Sequence, residues 1–145
     1  MKKTIICLTV VLIIIAIIGS IAGIKYFAYK QEYNTIKREN AEFEEYKDKV
    51  IYGLDVATIM NKAADKNTKN KIEKDESGIY ICNDKNSIHV EIYIKDNEKT
   101  YSMETFYNAG TDKFVQYYGG IQFKCSKIEY HKNTGRIKNI LFEQT

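Results

Sequence analysis

Hydrophobic residues follow three different patterns along this chain. From Thr4 to Ile24 they form an uncharged run, from Tyr26 to Val50 they recur at spacings of three and four, and from Gly78 onward they alternate with polar residues. These patterns are typical of a membrane-spanning helix, an amphipathic helix and half-buried β-strands. The sequence therefore predicts an α+β fold: an N-terminal transmembrane helix continuing into an amphipathic helix, a short second helix and a C-terminal antiparallel β-sheet.

The uncharged run is long enough to cross a lipid bilayer as one helix. At about 1.5 Å of rise per residue, residues 4–24 span the roughly 30 Å hydrocarbon core. The opening Met1-Lys2-Lys3 resembles a bacterial signal-anchor, which leaves the N-terminus in the cytoplasm and exports the rest; basic residues near both ends of the run leave the positive-inside rule undecided. The alternatives are a secretory signal cleaved after Ala22 and a buried helix of a soluble protein. We predict a single-pass protein of the cell membrane with an extracytoplasmic C-terminal domain.

The second pattern predicts a helical stalk. Its stripe positions are Tyr26, Tyr29, Tyr33, Ile36, Asn40, Phe43, Lys47 and Val50. One interpretation is a short coiled coil that self-associates through residues 26–50, with Asn40 fixing the register; the other is an amphipathic helix packed on its own domain. We expect Gly53 to end this helix.

A second short helix is predicted after Gly53, with Asp55 near its start. Its apolar face is Val56, Ile59, Met60 and Ala63. The charged stretch from Asp65 to Asp75 has no periodicity and predicts a loop or a frayed helix end.

Alternation after Gly78 predicts a series of short strands. The clearest is the core strand, in which Ile88, Val90, Ile92 and Ile94 share one face. The other predicted strands lie at Ile79–Ile81, Thr100–Tyr107, Phe114–Tyr118, Ile121–Tyr130 and Ile137–Phe142, with a bulge near Ser126-Lys127 and a hairpin turn at Asn133-Thr134-Gly135. We expect the helices to pack across the sheet on the face that bears Val90 and Ile92.

Composition limits the architecture and the partners. Residues 1–24 are predicted as the anchor, 25–77 as the stalk, second helix and charged loop, and 78–145 as the sheet, which forms one domain with the helices. The net charge of +3 falls to about +1 without Lys2 and Lys3, so nothing indicates a nucleic-acid partner. Heavy use of Lys, Ile, Asn and Tyr is typical of bacteria with AT-rich DNA.

Two cysteines and two histidines are the candidates for covalent or metal chemistry. In an oxidising compartment Cys82 and Cys125 would form a disulfide that closes a loop of about 43 residues; the alternative is two reduced core cysteines. With His89 and His131 they make a Cys2His2 set, but the spacings match no common zinc site, and we expect two ordinary surface histidines and no metal.

No sequence motif indicates catalysis or a cofactor. The chain has no nucleophile elbow, zinc-protease helix, phosphate-binding loop or dinucleotide-binding glycine pattern. Glu91, Glu104 and Glu129 are predicted as single outward-facing strand residues. The sequence therefore predicts a protein that is not an enzyme.

Two resemblances accompany these patterns. The stretches Phe43-Glu44-Glu45-Tyr46, Gly53-Leu54-Asp55-Val56 and Ile59-Met60-Asn61-Lys62-Ala63 resemble a motif of small, uncharacterised, single-span membrane-anchored proteins of clostridia-like bacteria. The order of anchor, amphipathic helix and sheet is similar in architecture to type IV pilins and pseudopilins, although the Gly, Phe and Glu of their processing site are missing.

The predicted function is a membrane-anchored, non-catalytic, extracytoplasmic protein that displays a small α+β interaction domain. Residues 4–24 would bind the lipid bilayer, and the domain would bind a protein or an envelope polymer. The alternatives are a pilin-like filament subunit and a ligand-binding or enzymatic domain without a visible motif.

Overall fold

The computed structural model describes residues 2–145, except for the side chains of residues 3–5. Met1 and the side chains of Lys3, Thr4 and Ile5, which belong to the predicted anchor and its basic start, lie outside the described residues. The helices are α1 (Lys2–Glu44), α2 (Gly53–Lys69), α3 (Met103–Tyr107) and α4 (Thr111–Tyr118), with one 3-10 turn (Lys95–Asn97). The strands are β1 (Val50–Tyr52), β2 (His89–Ile94), β3 (Lys99–Ser102), β4 (Gln122–Tyr130) and β5 (Ile137–Gln144). The predicted α+β fold class is confirmed.

The chain forms two compact units that meet between Arg38 and Glu39. The first unit is a continuous stretch of helix α1. The second unit runs from Glu39 to Thr145 and holds the last turns of α1, all other helices and the whole sheet. The structure therefore divides the chain after residue 38, whereas the sequence predicts segment boundaries after residues 24 and 77.

The five strands form one mixed sheet in the order β1-β4-β5-β2-β3. Three of the four strand pairs are antiparallel, but β2 and β5 run parallel. The predicted purely antiparallel sheet is therefore wrong at its centre. Hairpin turns are local signals, whereas the β2–β5 pair joins strands that lie far apart in the sequence.

The core lies between one face of the sheet and helices α2, α3 and α4. The core strand residues Ile88, Val90, Ile92 and Ile94 are all buried, and so is the predicted apolar face of α2. They share one cluster with Phe43, Phe123, Cys125, Ile140 and Phe142. The helices thus pack on the face that bears Val90 and Ile92.

The stalk helix ends earlier than predicted. α1 stops at Glu44, and Val50, predicted as the last stripe position, lies in β1 with an exposed side chain. Asp48 in the intervening turn has a φ of 59°, a left-handed conformation that Asp adopts more readily than most residues. Gly53 begins α2 instead of ending α1.

A close helix contact explains the glycine at this position. A Cβ on Gly53 would lie 2.0 Å from the backbone oxygen of Tyr118 at the end of α4. Only a residue without a side chain lets α2 start this close to α4.

The predicted strand Phe114–Tyr118 is a helix, and the predicted strand Thr100–Tyr107 is a strand only as far as Ser102. β3 ends at Ser102 and α3 follows it, while Phe114–Tyr118 belongs to α4. The aromatic residues gave these segments a high strand propensity, but their rings pack against each other from helical positions. Phe114 lies 4.8 Å from Phe106 and 5.2 Å from Tyr118 between ring centroids.

The predicted strand at Ile79–Ile81 is also wrong. Only an isolated bridge joins Tyr80 to Lys74, and it is Tyr80 that is buried, while Ile79 and Ile81 are exposed. The predicted bulge is confirmed by a shift of register between Cys125 and Lys127.

Asn67 of α2 connects the helix layer to the start of β2. Its side chain is fully buried, donates from Nδ2 to the Ile88 carbonyl at 2.7 Å and accepts the Ile88 N–H at 2.8 Å. It satisfies a buried backbone donor and acceptor at the point where the ladder begins. The sequence predicts a loop or a frayed helix end from Asp65 to Asp75, whereas α2 extends to Lys69 and so includes Asn67.

Asn40 connects the end of α1 to the β4–β5 hairpin. Its side chain donates to the Gly135 carbonyl at 2.8 Å and accepts the Ile137 N–H at 3.1 Å. The Tyr130 hydroxyl donates to Glu44 at 2.8 Å, and Arg136 pairs with Glu39. Asn40 therefore bonds to residues of its own unit, as predicted for an amphipathic helix that packs on its own domain.

Candidate functional site

Most of the exposed large apolar side chains among the described residues lie on α1. Starting at Ile6, the helix is long and apolar enough to cross a membrane, and none of its most apolar stretch is buried. The exposed large side chains up to the first lysine after the run are Ile6, Leu8, Val10, Val11, Leu12, Ile13, Ile14, Ile15, Ile17, Ile18, Ile21 and Ile24. In water such a surface is unfavourable by roughly 25 cal/mol for each Å² of apolar area, so this helix has the character of a membrane span.

The second candidate is the face of the sheet that the helices leave uncovered. Because side chains alternate along each strand, the residues between the buried positions point away from the core. On the three central strands these are His89, Glu91 and Tyr93 of β2, Asn139, Leu141 and Glu143 of β5, and Lys124, Lys127 and Glu129 of β4. We call this set the open face.

Two polar atoms at the centre of the open face lack hydrogen-bond partners. His89 and Asn139 are direct neighbours in the parallel register of β2 and β5. Asn139 donates from Nδ2 to Glu91 at 2.8 Å, but Asn139 Oδ1 and His89 Nε2 are buried atoms without a partner. Unpaired buried polar atoms are costly and are rare in native structures.

A cavity of about 230 Å³ opens at this point. Its polar lining is Cys82, His89, Glu91, Ser102, Glu129, Lys138 and Asn139. A second cavity of about 500 Å³ shares Glu129 and Lys138 with it and reaches Asp84 and Lys132. Together they offer carboxylates, amides and ammonium groups to a polar ligand.

The charges on the open face are partly paired. Lys127 and Glu129 form an ion pair at 2.6 Å, and this hydrogen bond is the main reason that the pKa of Glu129 lies below its usual value. Burial lowers the pKa of His89, although Glu104 and Glu91 act in the opposite direction. His89 is therefore a neutral ring at pH 7, able to donate from one nitrogen and accept with the other.

The structure does not form the predicted disulfide. Cys82 and Cys125 are both free thiols, with Cys82 exposed and Cys125 fully buried. Cys125 lies on the helix-covered face of β4, while Cys82 borders the cavity on the open face. The opposite faces of the sheet separate the two sulfurs, and the alternative of two buried cysteines is wrong for Cys82.

The hydrogen bonds of Cys82 are made within its own loop. In the described chain they go to the Asn83 carbonyl at 3.8 Å and from the Ser87 hydroxyl at 3.9 Å.

Two further predictions about site residues are wrong. His131 is not a surface residue, because its ring is buried and its Nε2 lies 2.8 Å from the Ser87 carbonyl. Glu104 does not face solvent from a strand, because it is buried in α3 and accepts the Tyr80 N–H at 3.3 Å.

The structure brings neither a metal site nor the Cys2His2 set together. In residues 2–145, as far as their side chains are described, no group of three or more His, Cys, Asp or Glu side chains is arranged to hold a metal ion. Cys125 lies in the core cluster, apart from the cavity that Cys82 and His89 border.

Sequence reasoning missed the cavity on the open face. The alternation in β2 placed His89 and Glu91 outward, but Asn139 becomes their neighbour only through the parallel pairing with β5. The available signal was the alternation of polar Asn139 and Glu143 with the buried residues Ile140 and Phe142. This alternation does not indicate which strand pairs with β5.

Comparisons with protein-family models, with curated proteins and with solved structures give no match for this chain.

Proposed function

We propose that this chain is a membrane-anchored, non-catalytic binding protein. Residues 4–24 cross the cell membrane once, and residues 39–145 form an extracytoplasmic domain that binds a protein or an envelope polymer through the open face. The observation that carries the proposal is the apolar stretch of α1, none of which is buried, in a chain whose second unit has a core of its own.

The anchoring part rests on the chemistry of α1. A helix satisfies its own backbone hydrogen bonds, so it is stable in a hydrocarbon layer that offers none. The side chains from Ile6 to Ile24 carry no charge, and lysines lie on both sides of the run. A charge near its centre, at Ile14, would cost about 2.5–3.5 kcal/mol.

The binding part rests on the open face. It combines two unpartnered buried polar atoms with a cavity of about 230 Å³ and a larger polar neighbour. A partner that donates to Asn139 Oδ1 and bonds His89 Nε2 would satisfy both atoms, which is the arrangement of a small polar binding site.

Sidedness is tested by labelling Cys82 in intact bacterial cells with a membrane-impermeant maleimide. Because Cys82 is exposed and Cys125 is buried, we expect rapid labelling of whole cells, which the Cys82→Ser variant abolishes. The anchor is tested on the same cells by extracting membranes at alkaline pH, which should leave the protein in the membrane pellet. Labelling that occurs only after lysis would show that the domain is cytoplasmic.

Binding through the open face is tested by sedimenting purified residues 39–145 with isolated cell envelopes. The double variant His89→Ala/Asn139→Ala should lose most of the bound fraction, whereas Tyr117→Ala, at an exposed position of α4, should keep it. Equal binding of all three proteins would exclude the open face as the binding surface.

A further inference from the structure

A short segment directly after the apolar run combines aromatic rings with lysines. It contains Lys25, Tyr26, Phe27, Tyr29 and Lys30, and we call it the collar. All five residues are exposed; for the aromatic residues Tyr26, Phe27 and Tyr29 the exposed fractions are 66%, 74% and 69%. The proposed anchor accounts for the isoleucines before the collar, but not for three exposed aromatic rings beside two positive charges.

The collar covers more than one side of the helix. With about 100° between successive residues, its five members spread over an arc of about 200°, from Lys25 through Tyr29, Tyr26 and Lys30 to Phe27. A stripe that contacts a single partner helix is narrower, about 100° wide, so the width of the collar favours a medium that contacts the helix from several sides.

The length of the collar matches the headgroup layer of a bilayer. From Lys25 to Lys30 the helix rises about 7.5 Å, and one polar layer of a bilayer is roughly 5–8 Å thick. The collar begins at the first charged residue after the run, so the hydrocarbon boundary falls between Ile24 and Lys25 when residues 4–24 fill the core.

The chemistry of the collar matches the headgroup layer as well. Tyr has an apolar ring and a polar tip, which suits a boundary between hydrocarbon and water, and lysine binds lipid phosphate as a point charge. The charged residues of the collar are Lys25 and Lys30, and both are basic. A basic segment beside a membrane favours anionic lipids.

We propose that the collar lies in the headgroup layer and binds anionic phospholipid headgroups, which fixes the depth of α1 in the bilayer. The proposal rests on the proposed membrane anchor. It adds the position of the interface along the helix and the class of lipid that is bound.

The chain contains no tryptophan, so a single substitution introduces a unique fluorescent probe. The full chain is placed in lipid nanodiscs with three variants: Ile14→Trp in the run, Tyr29→Trp in the collar and Tyr117→Trp on the exposed surface of α4. Quenching is then measured with lipids that carry bromine near the tail end or near the headgroup.

We expect Ile14→Trp to be quenched by the tail-end bromines, Tyr29→Trp by the bromines near the headgroup, and Tyr117→Trp by neither. Loss of quenching for Ile14→Trp would contradict the anchor itself. Normal quenching of Ile14→Trp together with no quenching of Tyr29→Trp would overturn the collar alone. In that case emission at the wavelength of Tyr117→Trp would place the segment in water, and a blue-shifted emission would indicate a second copy of the chain.

Lipid class is tested by the fluorescence quenching of Tyr29→Trp in nanodiscs where either phosphatidylglycerol or phosphatidylcholine carries the bromine near the headgroup. We expect quenching by phosphatidylglycerol to exceed that by phosphatidylcholine at least about twofold, since each juxtamembrane lysine favours anionic lipid. The Lys25→Gln/Lys30→Gln variant should lose the preference, whereas Lys37→Gln, beyond the collar, should keep it. Equal quenching by both lipids in the parent protein would overturn anionic headgroup binding.

Discussion

Solvent reaches Cys82 and Cys125 to very different degrees. Burial raises the pKa of the Cys125 thiol to about 11 from its usual 9.0, and the side chain lies in the core. That difference lowers the thiolate fraction near pH 8 about a hundredfold, and the thiolate is the form that reacts with alkylating reagents. Cys82 has an exposed side chain.

In native protein with Cys7 replaced by Ser, we expect iodoacetamide to alkylate Cys82 at least about a hundredfold faster than Cys125. Mass spectrometry of peptides over a time course measures both rates. In guanidinium chloride, where no core remains, the two rates should converge. Similar rates in the native protein would place Cys125 at the surface and would contradict the register of β4.

His89 links stability to pH. Because burial lowers its pKa in the folded protein below 6.5, the unfolded chain takes up a proton first as the pH falls. The contribution of His89 to stability is therefore complete above about pH 6.5 and is lost as the pH falls toward the folded-state pKa. Glu104, Glu91, His131 and Lys138 are its electrostatic neighbours.

We expect the free energy of unfolding of residues 39–145 to decrease between pH 7 and pH 5, measured by urea denaturation at each pH. In His89→Gln, which keeps a polar side chain without this titration, the decrease should be smaller. If both proteins showed the same pH dependence, His89 would not titrate as the structure requires.

At the scale of elements, the start of α2 depends on the absence of a side chain at Gly53. A methyl group there would overlap the Tyr118 backbone oxygen, and backbone cannot move aside as a flexible side chain does. Gly120, two residues beyond Tyr118, has open space around its Cβ position and an ordinary φ.

Gly53→Ala should therefore destabilise the domain by at least about 1–3 kcal/mol, even though alanine is the better helix former. Gly120→Ala should change the stability by less than about 1 kcal/mol. Thermal unfolding followed by circular dichroism compares the two variants. A stability gain in Gly53→Ala would show that α2 and α4 are farther apart than described.

The elements also show what sequence patterns can and cannot predict. The alternation of Ile88, Val90, Ile92 and Ile94 predicted the buried face of β2, because a strand with one covered face has period two. Phe114 to Tyr118 was misread because aromatic residues favour strands in isolation, whereas here they pack as a helical cluster.

The residues of the candidate site are harder to predict from the sequence than those of the core, because pairing between distant segments brings them together. The apolar run of α1 is a local signal and was read directly from the sequence. Asn139 meets His89 only through a parallel pair of strands, and His131 is buried because it meets the Ser87 carbonyl, 44 residues away. Neither contact leaves a local pattern in the chain.

For the whole molecule, the boundary between Arg38 and Glu39 predicts how far the chain can be shortened. Residues 39–145 contain the complete core and sheet, so this fragment should fold alone. A fragment that starts at Tyr46 lacks Phe43, which is 1% exposed, and Asn40, which bonds the β4–β5 hairpin.

We expect fragment 39–145 to unfold in one cooperative transition and fragment 46–145 to be less stable by about 3–5 kcal/mol, the usual cost of removing a buried Phe. Urea denaturation of both fragments measures the difference. Equal stabilities would mean that the last turns of α1 are not part of the domain.

The position of β5 in the sheet determines at which stage of synthesis the domain can fold. β5 is the last strand in chain order, yet it lies at the centre of the sheet, between β4 and β2. Before residues 137–144 leave the ribosome, β2–β3 and β1–β4 are separate two-stranded ribbons, and such ribbons are marginally stable in water. The sheet can therefore be completed only after every other strand, and the whole of α1, has been synthesised.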